Sequence, residues 1–149
     1  MVVVLIISVL AMLAVPAAAR IKLHAKTTVI VNDFRVFGAA FEAYAQEFGT
    51  WPPEAAAGVV PTGMDGRLNA AAWMRTTPMG GKYNWENNQL HFGVRYPAAI
   101  AISATADAPL PLDVAQLTDL NRTIDNDNNW LGGSFHLGSS LNPLFIVQP

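Results

Sequence analysis

From Met1 to Ala19 the chain reads MVVVLIISVLAMLAVPAAA, apolar at every position except Ser8 and without charge. No period separates one face from another, so this segment predicts a helix with apolar surroundings on all sides. From Ile30 the pattern changes. Ile30, Phe34, Phe37, Phe41, Tyr44 and Phe48 recur in steps of four and three, which is one stripe of an α-helix, while Arg35, Glu42, Gln46 and Glu47 fall off it. Gly49 suits the position just past a helix end, and Pro52 and Pro53 prevent continuation. The pattern predicts one helix from near Met1 to Phe48, roughly 70 Å long at the standard rise. Its first half is apolar all round. Its second half is amphipathic, with Ile30 to Phe48 as a seam turned towards the strands of its own domain.

Beyond the helix the signals shorten. Trp51 to Gly66 is rich in Pro, Gly and Ala and reads as a loop, and Leu68 to Met74 as a helical turn. A strand is predicted around Lys82–Trp85, a turn at Asn87–Asn88, and a return strand over Gln89–Val94. "AAIAISAT", Ala98–Thr105, reads as a strand buried on at least one face, with small and branched residues on which the seam rings can lie. Asp113 is placed to cap a second helix. Gln116 lies three residues on, as in a capping box, and Leu112 and Leu117 have hydrophobic-staple spacing. Leu117, Leu120 and Ile124 form the buried face. "DNDNN" ends this helix, and Gly133–Leu137 and Leu144–Val147 read as closing strands. The fold class is α+β: a long N-terminal helix packed on a small antiparallel sheet, with one additional short helix.

Charge sharpens the division. Charged residues make up 13% of the 149-residue chain and none precedes Arg20, against about a quarter in ordinary soluble domains. The organisation predicted is an apolar segment over 1–25 and a globular domain over 26–149 that includes the amphipathic half of the helix. Net charge is −2 with no basic block, so nucleic acid is not the main partner. With no cysteine, disulfides and thiolate metal sites are excluded.

The opening segment lacks the leading basic residues of a signal peptide, although "VPAAAR" could pass as a cut site. Its length is close to the roughly 20 apolar residues that span a bilayer. Arg20, Lys22 and Lys26 then stop the apolar run, and by the positive-inside rule they favour a cytoplasmic C-terminal side.

The order of residues in "MVVVLIISVLAMLAVPAAA" resembles the N-terminal helix of type IV pilins and type II secretion pseudopilins, in which a Met-Val-Val-like run precedes a proline at this spacing. "TPMGGKYNWENN" and "IDNDNNWLGGSF" look like segments of bacterial prepilin-type proteins. The family's leader, peptidase site and glutamate near the mature N-terminus are absent, so Met1 is expected to lie a few residues inside the family's mature chain. The resemblance implies a helix held first in the inner membrane and then drawn into a filament core. Val4, Leu5, Ile6, Val9, Leu10, Leu13 and Pro16 would form the assembly surface, and Pro16 would kink or loosen the helix.

Little in the sequence suggests chemistry. Asp125, Asp127 and Asn129 alternate like the first half of a calcium loop, but Trp130 stands where such a loop needs glycine and His136 where it needs glutamate. Pseudopilins hold calcium in a C-terminal loop, so the resemblance leaves a weak calcium site at these three residues open beside the preferred reading as caps and turns. His24, His91 and His136 show no metal-ligand spacing, and Ser134 lacks the hydrolase elbow pattern. "NRT" at Asn121 fits a glycosylation sequon but falls inside a predicted helix. No catalytic residue and no cofactor is assigned. Trp51, Trp73, Trp85 and Trp130 are core residues or surface contacts.

The leading expectation is a structural subunit of an extracellular, pilus-like filament on the cell surface, a homopolymer built by assembly machinery from subunits stored in the inner membrane. A type II secretion pseudopilin is the alternative, and a single-span anchored binding domain the third reading.

Overall fold

The computed structural model describes residues 2–149, without the side chains of residues 13–16. Helix α1 runs Val2–Phe48, α2 Ala70–Met74, β1 Lys82–His91, β2 Val94–Ser103, α3 Val114–Ile124, β3 Phe135–Leu137 and β4 Pro143–Gln148. The four strands form one antiparallel sheet in the order β1-β2-β4-β3. The second half of α1 lies on one face of this sheet, and α3 packs on α1 and reaches β3.

The seam is made of rings against rings. Ile30, Phe34, Phe37 and Phe41 are buried. Phe41 stacks on Trp85 with centroids 3.7 Å apart, Phe34 on Phe145 at 5.4 Å, and Phe37 meets Trp73 and Tyr83 edge-on at 5.1 and 5.0 Å. The aromatic partners come from β1, β4 and α2, and the alternate residues of β2 share the same core. Ala98, Ile100 and Ile102 of β2 complete this core, whereas Ala99 and Ala101 join Tyr96, Leu144 and Ile146 in a second cluster on the opposite face. Small side chains suit β2 because it is the strand covered on both faces. The seam also ends sooner than the spacing suggests. Tyr44 is half-buried and Phe48 is 53% exposed. Past Phe41 the stripe meets the loop after α1: Tyr44 lies against Gly63, and the Arg67 guanidinium, 5.2 Å from the Phe48 ring, partly covers it.

Gly38 sits on this buried side of α1, where a Cβ would stand 3.3 Å from a ring carbon of Phe145. A mid-helix glycine costs about 0.5–1 kcal/mol against alanine; here it lets β4 come close enough for the Phe34–Phe145 stack.

The hairpin differs from expectation. Asn88 adopts the left-handed conformation (φ 58°), as its residue type allows, but the chain stays extended through it. Reversal comes at Phe92–Gly93, both at positive φ and flanked by the His91–Val94 pair. That is the two-residue primed turn that matches strand twist, and glycine at its second position makes it accessible.

The loop after α1 is held by indole donors. Trp73 Nε1 donates to the Val59 carbonyl (2.8 Å), Trp85 Nε1 to Pro52 (3.0 Å) and Trp51 Nε1 to Gln148 (2.7 Å). Trp73 and Trp85 are core, and Trp51 and Trp130 pack half-buried against it. In α3, Asp113 Oδ1 accepts from the Gln116 amide at 3.1 Å, as a cap should. The rest of the expected box is not made: Gln116 Nε2 donates to Thr27 Oγ1 at 2.6 Å, joining α3 to α1. Leu112 remains 59% exposed, so no staple closes over the buried Leu117. Asn121 is fully buried and cannot carry a glycan.

Phe41→Ala removes a ring stacked on Trp85 and is expected to cost about 3–5 kcal/mol. Urea unfolding of the detergent-solubilised chain, followed by near-ultraviolet circular dichroism, checks this. An unchanged midpoint would move the seam from folding to some other role.

Candidate functional site

The first half of α1 is the surface that a soluble fold leaves unexplained. From Val2 to Met12 its large apolar side chains are each 52–79% exposed. An 18-residue window of this helix has mean hydropathy 2.8 and no buried residue, long and apolar enough to cross a membrane. The one hydroxyl in the stretch, Ser8 Oγ, donates to the Val4 carbonyl at 2.6 Å, so no polar group needs an outside partner. Val4, Leu5, Ile6, Val9 and Leu10 all lie on this exposed surface. The expectations at Leu13 and Pro16, including the kink, lie outside the described residues.

Burial on α1 among the described side chains begins at Thr27, where α3 docks. His24 Nδ1 lies 3.1 Å from Asp119 Oδ2, one turn before the Thr27–Gln116 bond. Further along, Asp33 is a buried carboxylate on the seam side of α1. Its Oδ2 accepts from Tyr83 Oη at 2.6 Å and from the Arg75 guanidinium. This triad ties α1 to β1 and to the segment after α2. Burial first, then the Asp33 carboxylate, push Tyr83 far above the ordinary tyrosine value.

Two of the three histidines, His91 and His136, come together about Tyr96. On the face of the sheet away from α1, Ser139 N donates to His91 Nδ1 (3.2 Å), so Nε2 carries the proton and donates to Glu86 Oε2 (2.6 Å). His136 Nε2 donates to the Gly133 carbonyl (3.2 Å), leaving Nδ1 to accept from Tyr96 Oη (2.7 Å). Tyr96 lies between the two imidazoles, with ring centroids 6.2 and 5.1 Å away. The alternation Glu86–His91–Tyr96–His136 crosses three strands, a proximity that only the pairing register creates. Every hydrogen bond in it has a structural partner.

The acidic loop is likewise engaged. Asp125 accepts from Ser134 N (2.9 Å) and Phe135 N (2.7 Å), Asp127 from Asn129 N (2.9 Å), and Asn129 from Leu131 N (3.2 Å). These residues cap α3 and turn the chain towards β3. Among the described residues, no group of three or more His, Cys, Asp or Glu side chains is placed to hold a metal ion.

No protein-family model matches the sequence, and comparison with curated proteins finds no match. One solved structure does match. The major type IV pilin of Clostridium difficile aligns over 85% of this chain and 97% of its own, with a TM-score of 0.57 and 18% sequence identity. The fold is that of a type IV pilin. In this pilin fold, the exposed half of α1 extends beyond the sheet-bearing domain as one continuous helix, and the Asp33 and Thr27 contacts fix the domain against its base.

Two outcomes test these contacts. Tyr83 keeps its proton in the fold but releases it at the ordinary tyrosine value, about 10, when unfolded. Stability from this group is therefore complete below that pH and is lost as pH rises through and above it. Tyrosinate absorbance is expected to rise in two steps, the later one accompanying loss of near-ultraviolet dichroism. His91→Ala strips the buried Glu86 carboxylate of its shorter hydrogen bond, leaving only the Asn84 amide at 3.3 Å, and is expected to cost about 1–3 kcal/mol in urea unfolding. His91→Gln, which keeps an amide donor, loses less.

Proposed function

We infer that this chain is a structural subunit of a type IV pilus-like filament, polymerising through the apolar half of α1. One observation carries the reading: an exposed and almost wholly apolar half-helix projects from a domain with the pilin fold. Water cannot be its working solvent, because exposed apolar surface on this scale seeks lipid or other copies of itself. Before assembly the helix sits in the inner membrane. In the filament, copies of α1 bundle at the centre, and the domains form the sheath exposed at the cell surface. Gross burial at about 25 cal/mol per Å² amounts to tens of kcal/mol per helix. Leaving lipid cancels most of it, so close helix packing and an energy-consuming assembly machine must supply the difference. The activity is assembly, with no bond made or broken by this chain. The solved structure it resembles is a major type IV pilin, and the pseudopilus of a secretion apparatus is the second reading.

Val9→Asp places an unpaired charge where lipid or partner helices lie, at a cost of several kcal/mol. Surface fibres seen by electron microscopy of sheared cells are expected to vanish, while the domain keeps its near-ultraviolet dichroism. Normal fibres on Val9→Asp cells would reject assembly through α1. Protein secretion that stops with the variant, in cells whose wild type carries no fibres, would favour the pseudopilus.

A further inference from the structure

We propose that the groove between α1 and α3 binds the anionic headgroup of a phospholipid from the bilayer that α1 crosses. The proposal rests on the membrane-resident stage in the function above. The groove encloses about 520 Å³, with Leu23 and Ala115 as apolar lining and Arg20, His24, Asp119 and Arg122 as its polar groups.

Its orientation follows from the two side-chain bonds between the helices. Thr27 meets Gln116, and His24 meets Asp119. Going up α3 by three residues goes with going down α1 by three, so the helices run antiparallel here. One more turn brings Arg122 and Arg20 to the groove, on the side of the apolar segment. Asp119 faces His24. Arg122 Nε donates to Asn128 Oδ1 at 3.1 Å. Among the described residues, no carboxylate pairs with either guanidinium. Both arginines are exposed.

Depth places them correctly. Val2 to Ala19 carries no charge, so Arg20 is where the helix leaves the apolar phase and meets the headgroup layer, and Lys22 and Lys26 add positive charge beside it. Two forked guanidinium groups suit the oxygens of a phosphate. The Leu23–Ala115 lining suits the glycerol and first methylenes beneath it. A second copy at the same membrane depth would bring its own Arg20, Lys22 and Lys26 against this rim, and like charges repel. A zwitterionic headgroup carries its own cation and gains less.

The test uses the full chain reconstituted into vesicles of phosphatidylcholine with trace spin-labelled lipid at physiological salt. Spin-labelled phosphatidylglycerol is expected to associate with the protein at least about five-fold more strongly than spin-labelled phosphatidylcholine, given the worth of a basic residue at the surface. The Arg20→Gln/Arg122→Gln variant is expected to bring the ratio close to one, while Lys22→Gln keeps most of the preference. Near-ultraviolet dichroism confirms that both variants fold. Wild type that inserts but shows no preference overturns the site and leaves the membrane stage standing. Wild type that enters no vesicle overturns both. An equal loss in Lys22→Gln would reduce the effect to diffuse charge and overturn the groove. Thr118→Cys, in a chain without cysteine, reports the rival occupant. Disulfide-linked dimers in the vesicles would put a second copy there and also overturn the proposal.

Discussion

The stacking of α1 rings on sheet rings is the contact on which the domain depends. The sheet has only four strands, one of them three residues long, and there is no disulfide. A sheet this small has little apolar surface to bury by itself, and packing against a helix supplies the rest. Phe34, Phe37 and Phe41 supply that cover by meeting Tyr83, Trp85, Trp73 and Phe145. Aromatic pairs add about 0.5–1.5 kcal/mol each beyond the area they bury. Trp73 and Trp85 also send their indole donors out to Val59 and Pro52, so the same rings that hold the helix order the long loop after it. Remove the seam and the sheet and the loop lose their common support.

A single helix then serves two solvents. Its described side chains up to Met12 are exposed and, apart from Ser8, apolar; from Thr27 it presents one buried face to protein and the other to water. Between them lie Arg20, Lys22, His24 and Lys26, and the docking of α3 at Thr27 and His24 falls within this boundary. In the membrane stage proposed above, the basic residues would end the span, and α3, docked at Thr27 and His24, would brace the helix where it leaves the apolar phase. The boundary thus keeps the domain at a fixed distance from whatever surrounds the first half of α1.

Periodicity made the long helix, its division into two halves and the α+β class legible in the sequence, because a 3.6-residue repeat sustained over five turns fits a helix and no strand. The resemblance of Met1–Ala19 to pilins pointed to the same fold. Features set by distance in the chain were not legible. Residue type places the hairpin turn at Asn87–Asn88, yet Phe92–Gly93 reverses the chain because strand pairing, rather than local preference, decides where β1 ends. Gln116 looked like half of a capping box because the motif is local, whereas its partner Thr27 lies 89 residues away. Asp33 carried no signal beyond a polar residue beside an apolar stripe. Its role depends on Tyr83 and Arg75 arriving there. Glu86, His91, Tyr96 and His136 became neighbours only through the register of three strands.

These long-range polar contacts have one physical consequence in common. An apolar stripe repeating every three or four residues packs almost as well after sliding by a turn, since each ring moves to the place of the next. Packing opposes the slide chiefly at Gly38, whose place beneath Phe145 no larger residue could take without displacing the ring. Asp33 removes the degeneracy: a one-turn slide would strand its carboxylate away from Tyr83 Oη and the Arg75 guanidinium, and a buried charge without partners costs several kcal/mol. Thr27 with Gln116 does the same for α3. The rings hold the helix to the sheet, and the polar pairs decide at which height. In a filament built from copies of α1, that height sets where each domain stands relative to the apolar half, so an error of one turn, about 5.4 Å, would be repeated in every subunit. The buried polar residues on an otherwise apolar helix face thus serve register more than stability.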